Sequence, residues 1–359
     1  MTEPVLDFFQ RYQHFLITTH LGPDGDAIGS QLALAHFLKK MGKRVTMIDH
    51  DEPSYNLMWL PGADDIQEFS GSAEQRKAIA ASDAVIVVDT NALERLGDVA
   101  DSVENSHAPK LLIDHHTNPE DWFDVTYQRD DASSAGELVY EIVTEHDPDA
   151  VDGSLIDEDL ATLLYTAIMT DTGSFRYTSV TPTVHRIVAD LLERGDITPA
   201  PIHTSIFDTR TPEGIKLLGD VLGTMTLRYN GVIGYLVVTE EMLERTGATW
   251  DDARGLVNYV LSIGSVQAGA LFKSTRDGIK ISFRSKGAVH VNRWARQFGG
   301  GGHRNASGAY LRGEPLERSI ERVMTAAPEY IEEIDFPDGA GQLSDEKADQ
   351  LAEMMRSGG

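Results

Sequence analysis

The sequence predicts an α/β protein: a doubly wound parallel-sheet domain joined by a linker to a smaller α+β domain. Three observations carry this reading. Short apolar runs alternate with amphipathic helical stretches over the first 195 residues, and titratable residues gather at the carboxyl ends of those runs. The alternation weakens over "GDITPAPIHTSIFDTRTP", residues 195–212, and then resumes in a different pattern.

Residues 14–20, "HFLITTH", read as a buried strand that ends in the turn "LGPDGD" and passes into the helix "AIGSQLALAHFLKKMG", closed by Gly42. "KRVTMID", "DAVIVVDT" and "KLLIDHH" supply three more strands, with a helical segment at "AEQRKAIAAS". Helices follow at "SAGELVYEIVTEH", "EDLATLLYTAIMTDTG" and "TPTVHRIVADLLERG". Parallel strands need crossovers of this length, which places helices on both faces of the sheet. Beyond the linker come a helix, "EGIKLLGDVLGTM", and strands "VIGYLVVT", "VQAGALFKST" and "GIKISFRS". Helices are expected near "DDARGLVNYVLS" and "VNRWARQF". The expected divisions are a first domain at 1–195, a linker and connecting helix at 196–225, a second domain at 226–330 and a poorly ordered acidic tail at 331–359.

With 359 residues and 41% hydrophobic content the chain can bury two cores. No apolar run approaches the roughly 18–20 residues of a membrane span, and "MTEPVLDFFQRYQ" lacks a signal-peptide pattern, so a soluble cytoplasmic protein is expected. There is no cysteine, which excludes disulfides and thiolate chemistry and leaves oxygen and imidazole as metal ligands. The formal charge of -26 disfavours long nucleic acid and anionic membranes as main partners. That acidity, with arginine in excess of lysine, fits a surface adapted to high salt; ordinary acidity is the plainer alternative.

His20, Asp24, Asp26, Asp89, His115 and Asp171 together supply two imidazoles and four carboxylates, a set that suits two divalent cations sharing a carboxylate. The mixture favours Mn²⁺, with Mg²⁺ or Co²⁺ as alternatives. Each member alone has a plainer reading. Asp24 and Asp26 fit a Pro-Asp-Gly-Asp turn, His20 a satisfied interior histidine, Asp89 a helix N-cap and Asp171 a helix end. The run "LLIDHH" is harder to dismiss, because it presents three titratable groups at the end of a buried strand. Arg176, just past Asp171, could reach a phosphate or form a surface ion pair. "SSAGE" carries the capping-box pattern at Ser134 and Glu137, so a structural helix start is preferred there.

"HLGPDGDAIGS", "VIVVDT", "LLIDHH" and "AIMTDTGSF" resemble, in order and spacing, the four motifs of the DHH phosphoesterase superfamily. "FGGGGHRNASGA", residues 298–309, resembles the glycine-rich signature of the DHH-associated C-terminal domain, and by layout the chain is similar to the nanoRNase family of bifunctional oligoribonucleases and 3′-phosphoadenosine 5′-phosphate (pAp) phosphatases. The resemblance implies His20, Asp24 and Asp89 on one metal, and Asp26, Asp89, His115 and Asp171 on the other. Asp114 would orient His115, and His116 would contact phosphate and serve as general acid. Arg284, Ser285, Asn292, Gly301, Gly302, His303 and Ser307 would line a substrate pocket, where a glycine run lets backbone amides approach an anion. The implied activity is hydrolysis of short oligoribonucleotides such as pApA, with pAp dephosphorylation alongside. A cyclic dinucleotide (c-di-AMP) phosphodiesterase is the enzymatic alternative, and an inactive nucleotide-binding regulatory module the non-enzymatic one. A homodimer is compatible with the sequence.

Overall fold

The computed structural model describes residues 2–146, 155–287, 289–302 and 304–330, and the expected acidic tail at 331–359 lies outside them. The chain divides into two units between Thr209 and Arg210.

In the first unit six strands, β1 (His14–Thr18), β2 (Arg44–Asp49), β3 (Ile66–Glu68), β4 (Ala84–Val88), β5 (Lys110–Asp114) and β6 (Val125–Gln128), form one sheet of order β3-β2-β1-β4-β5-β6. Every adjacent pair is parallel. The side-chain period of two divides each central strand between two cores. Phe15, Ile17, Ile86, Val88, Leu111 and Ile113 join one apolar cluster, whereas Leu16, Val85, Val87 and Leu112 join another. These strands are therefore apolar at nearly every position.

Helices α1 (Glu3–Arg11), α2 (Gly25–Lys40), α3 (Ala73–Ala80), α4 (Ala100–Glu104), α5 (Ala135–His146), α6 (Glu158–Asp171), α7 (Pro182–Gly195) and α8 (Pro199–Phe207) complete the unit. Helix α2 packs against both α5 and α6. Its approach to α6 depends on Gly29, where a Cβ would lie 2.8 Å from the Leu163 carbonyl oxygen and 3.1 Å from the Ala167 nitrogen. The stretch read as a linker from sequence contains α8, which opens with proline and buries Ile202 and Ile206 in the first core. Proline at the first helical position costs no hydrogen bond, so the prolines mark a helix start there.

The second unit adds α9 (Pro212–Leu222), β7 (Thr226–Arg228), β8 (Ile233–Thr239), α10 (Glu240–Thr246), α11 (Val257–Leu261), β9 (Ala268–Thr275), β10 (Gly278–Ser285), α12 (Val291–Arg296), β11 (Gly301–Gly302), β12 (Ala306–Arg312) and α13 (Leu316–Ala326). Its sheet has the order β11-β12-β10-β9-β8-β7 and is mixed, because β8 and β9 pair in parallel while the other neighbours are antiparallel. The helix expected over 251–262 is a short 3₁₀ turn, Asp251–Ala253, followed by α11, with Gly255 at φ +72° between them. Two of the glycines read as a shaped loop, Gly301 and Gly302, instead pair with Gly308 and Ser307 as the strand β11. The neighbouring Gly300 has no room for a side chain, since a Cβ would sit 2.1 Å from the Gly308 carbonyl oxygen.

Candidate metal centre

In the first sheet the winding direction reverses between β1 and β4, and the carboxyl ends of strands flanking such a reversal form a crevice. His20 follows β1, Asp89 follows β4, and His115 and His116 follow β5. The crevice is thus lined by imidazole and carboxylate groups supplied by three neighbouring strand ends. Helix α2 brings Asp24 as its N-cap and Asp26 in its first turn, and α6 brings Asp171 as its last residue.

The geometry converges on Asp89. Its Oδ2 lies 3.4 Å from His20 Nε2, and its Oδ1 lies 3.3 Å from His115 Nε2. His115 Nε2 also stands 3.4 Å from Asp26 Oδ2 and 3.6 Å from Asp171 Oδ2. Donor atoms of His20, Asp24 and Asp89 lie within 4.8 Å of one another, as do those of Asp26, His115 and Asp171. His116 joins Asp89 and His115 in a further such group.

Asp89 has φ +59°, an uncommon conformation for a residue with a side chain, and its amide is held by the Ile113 carbonyl at 3.0 Å. Asp89 Oδ1 is buried without a hydrogen bond among the described residues. A buried carboxylate oxygen left in that condition is costly, and a divalent cation would satisfy it. The donor set of carboxylates and imidazoles, without sulfur, fits divalent cations.

Asp26 is fixed before any ligand binds. Its Oδ1 accepts from Ser30 Oγ at 2.9 Å and the Gly136 amide at 3.0 Å, and its Oδ2 accepts from the Ala135 amide at 2.7 Å. The N-terminus of α5 therefore points at a carboxylate, the favourable polarity for a helix dipole. Helix α5 is itself capped as expected, with Ser134 Oγ accepting from the Glu137 amide at 3.1 Å. The Glu137 carboxylate accepts from the Ser133 amide at 2.7 Å.

Burial opposes ionisation throughout this pocket, and the neighbours decide the outcome. Burial and then the adjacent Asp89 carboxylate push Asp26 well above the usual range. Burial also raises Asp89, but the imidazoles of His115 and His20 outweigh it and hold the carboxyl well below that range. Burial lowers His115, yet Asp89, Asp171 and Asp26 together raise it well above an ordinary histidine. His20 is raised for the same reason, against burial and Arg95. A site that collects positive charge in this way is matched to cations.

One expectation is corrected. Asp114 does not orient His115: its Oδ1 meets His116 Nδ1 at 2.8 Å, while His115 Nδ1 faces the Ala132 carbonyl at 3.3 Å. Side chains two apart leave an extended chain on the same face, and Asp114 and His116 have that spacing. Arg176 lies in the turn after Asp171, its Nε donating to the Gly173 carbonyl at 2.6 Å.

In the second unit, Ser285 Oγ donates to the Val289 carbonyl at 2.6 Å and accepts from Asn305 Nδ2 at 2.9 Å, so this hydroxyl shapes the turn after β10. Arg284 precedes it on β10, with one guanidinium nitrogen donating to the Phe283 carbonyl at 3.0 Å. Asn292 Oδ1 is buried without a hydrogen bond among the described residues. Ser307 is buried on β12 opposite Gly302. His303 lies outside the described residues.

Sequence reasoning missed the support beneath the loop that carries His20 and Asp24. Asp49, fully buried at the end of β2, accepts from the Thr19 amide at 3.1 Å and Gln31 Nε2 at 3.0 Å. Burial pushes its carboxyl up to about 7, against the hydrogen bonds from Gln31 and Thr19. Asp51 accepts from the Gly22 amide at 2.6 Å and thereby ties the loop to the end of β2. Both follow the same strand-end rule that singles out His20 and Asp89.

The chain is similar to known proteins over most of its length. Residues 14–168 match the model of the DHH family, N-terminal domain, and residues 232–333 match that of the DHHA1 domain. The chain is 35% identical over 319 residues to the bifunctional oligoribonuclease and PAP phosphatase NrnA of Thermus thermophilus, covering 88% of this chain and 89% of that protein. It is 29% identical over 302 residues to the protein of the same name from Bacillus subtilis, covering 84% and 90%. Among solved structures, an exopolyphosphatase-related protein from Bacteroides fragilis is similar with a TM-score of 0.82 and 33% identity, covering 91% of this chain and 95% of that one.

Proposed function

Because the chain belongs to the DHH family, with a DHHA1 domain after its N-terminal domain, we propose that it is a metal-dependent phosphoesterase that hydrolyses short oligoribonucleotides to mononucleotides and dephosphorylates pAp. The observation that carries this reading is the convergence of His20, Asp24, Asp26, His115 and Asp171 on the carboxylate of Asp89 at the sheet's switch point. The names of the similar Thermus and Bacillus proteins support the choice of substrate.

His20, Asp24 and Asp89 would hold one cation and Asp26, Asp89, His115 and Asp171 the other, with Mn²⁺ the proposed ion. Divalent cations bound there supply the Lewis-acid chemistry of phosphoryl transfer. The protein's own groups do the rest. Asp114 holds the ring of His116 through Nδ1, which leaves Nε2 as the nitrogen proposed to meet the phosphate or the leaving oxygen. Arg176 is proposed to neutralise the phosphate, and Arg284, Ser285, Asn292, Gly301, Gly302, His303 and Ser307 to receive the substrate. A substrate of a few nucleotides brings little charge against a protein of net charge -26.

The test is a substrate panel with Mn²⁺: pApA, a labelled five-nucleotide RNA, pAp and c-di-AMP. Faster turnover of pApA and the RNA than of c-di-AMP is expected. Preference for c-di-AMP would move the assignment to cyclic dinucleotide hydrolysis.

A further inference from the structure

The loop that carries His20 is braced by a residue that neither cation site uses. The Leu21 amide donates to the Arg95 carbonyl at 2.7 Å, and Arg95 lies in the 3₁₀ stretch Leu93–Val99 that follows β4 and Asp89. His20 Nδ1 lies 2.9 Å from the Leu21 carbonyl and its Nε2 faces Asp89, so imidazole, loop and Arg95 are linked bond by bond. The backbone of Arg95 thereby supports the first proposed cation site.

The side chain is the unusual part. Arg95 is half-buried, and among the described residues its guanidinium makes no ion pair and no hydrogen bond. Carboxylates are close at hand in sequence, since Glu94 precedes it and Asp98 follows three residues on, both exposed. Neither pairs with it, and Asp98 stands 3.7 Å from His50 instead. Yet its charge reaches the site. After burial, the Arg95 guanidinium is the strongest influence holding down the proton affinity of His20, against the carboxylates of Asp89 and Asp24. A charge that disfavours imidazolium at His20 also disfavours a divalent cation there. An unpaired guanidinium beside a site for cations therefore weakens their binding until an anion lies against both.

We propose that Arg95 contacts the phosphoryl oxygens of a substrate held at the first cation site, and that it favours the 3′-phosphomonoester of pAp over the internal diester of pApA. The proposal rests on the phosphoesterase reading and deepens it, because it names the residue that divides the two activities. A diester offers two non-bridging oxygens and one negative charge, whereas a terminal monoester offers three oxygens and nearly two charges near pH 7. Two cations can each take an oxygen, and a guanidinium fork suits those that remain. The gain is therefore larger for the monoester.

The test compares the full chain as wild type, R95M and R95K, with thermal melting to confirm that each is folded; the Arg95 carbonyl that holds Leu21 is common to all three. Mn²⁺ binding is followed by calorimetry, then binding of inorganic phosphate to the Mn²⁺-loaded proteins, and then kcat/KM for pAp and pApA. R95M should bind Mn²⁺ as tightly as wild type or up to about threefold more tightly, because a like charge has gone. Its phosphate affinity should fall about tenfold, and kcat/KM should fall about ten- to thirtyfold for pAp against about threefold for pApA. R95K keeps the charge without the fork and should recover part of the loss on pAp. A fall in the Mn²⁺ affinity of R95M would overturn the proposal, since Arg95 would then only brace the His20 loop. Unchanged phosphate affinity would overturn the contact, and equal losses on pAp and pApA the selectivity. If wild type hydrolyses neither nucleotide while R95M still loses phosphate affinity, the phosphoesterase reading falls and the anion contact stands.

Discussion

At the residue scale the cluster proposed as a metal centre was legible because its members combine two readable signals, a titratable side chain and the end of an apolar strand. His20, Asp89 and His115 satisfy both. The partner of Asp114 was not legible, because it depends on which way successive side chains leave the strand end. The pairing with His116 yields a discriminating expectation. Asp114→Asn should lower kcat by about 10²- to 10⁴-fold, the usual worth of a positioned proton donor, while Mn²⁺ affinity changes by no more than a few-fold. Calorimetric titration of Mn²⁺ beside steady-state kinetics checks this. A loss of metal affinity as large as the loss of rate would place Asp114 behind a ligand instead. Asp49 gives a second expectation with a definite sign. Its carboxyl titrates near 7 when folded but near 3.8 as a free side chain. The neutral form therefore stabilises the fold fully below about pH 4, and this contribution is lost as pH rises to about 7. Thermal melting in EDTA should show wild type losing stability relative to Asp49→Asn across that window, by on the order of 4 kcal/mol, with no further divergence above it.

At the element scale, pattern strength decided what could be read. The central strands β1, β2, β4 and β5 are apolar on both faces and stood out, whereas β7 has three residues and β11 two. Glycine carries no hydrophobic signal, so β11 read as loop although its neighbour Gly300 has no room for a Cβ. Helix α8 was hidden by its own prolines, which sit where a helix accepts them. The crossing of α2 and α6 depends on the same kind of close approach. Gly29→Ala gains about 1 kcal/mol of helix propensity, but the new Cβ meets backbone atoms of α6 that cannot rotate away. The clash should win, for a net loss of about 1–2 kcal/mol and a fall of several degrees in Tm. Gly219→Ala in α9 has nothing within 4 Å and should instead stabilise by up to about 1 kcal/mol. Equal shifts in the two variants would mean that the α2–α6 contact is looser than these distances indicate.

At the scale of the whole molecule the tension lies between a net charge of -26 and a substrate that is itself a polyanion. The structure resolves it locally. Carboxylates and imidazoles gather where cations would reverse the sign of the field. Charge totals are visible in a sequence, but which strands share a face depends on register, and register was not. The most direct measurement is turnover of pApA by the purified chain, first stripped of metal with EDTA and then titrated with Mn²⁺, beside Asp89→Asn. Activity that is absent in EDTA, returns with about two Mn²⁺ per chain and stays at least about 10³-fold lower in the variant is expected. Turnover that persists without divalent metal, or survives the loss of the Asp89 carboxylate, would contradict the two-cation centre.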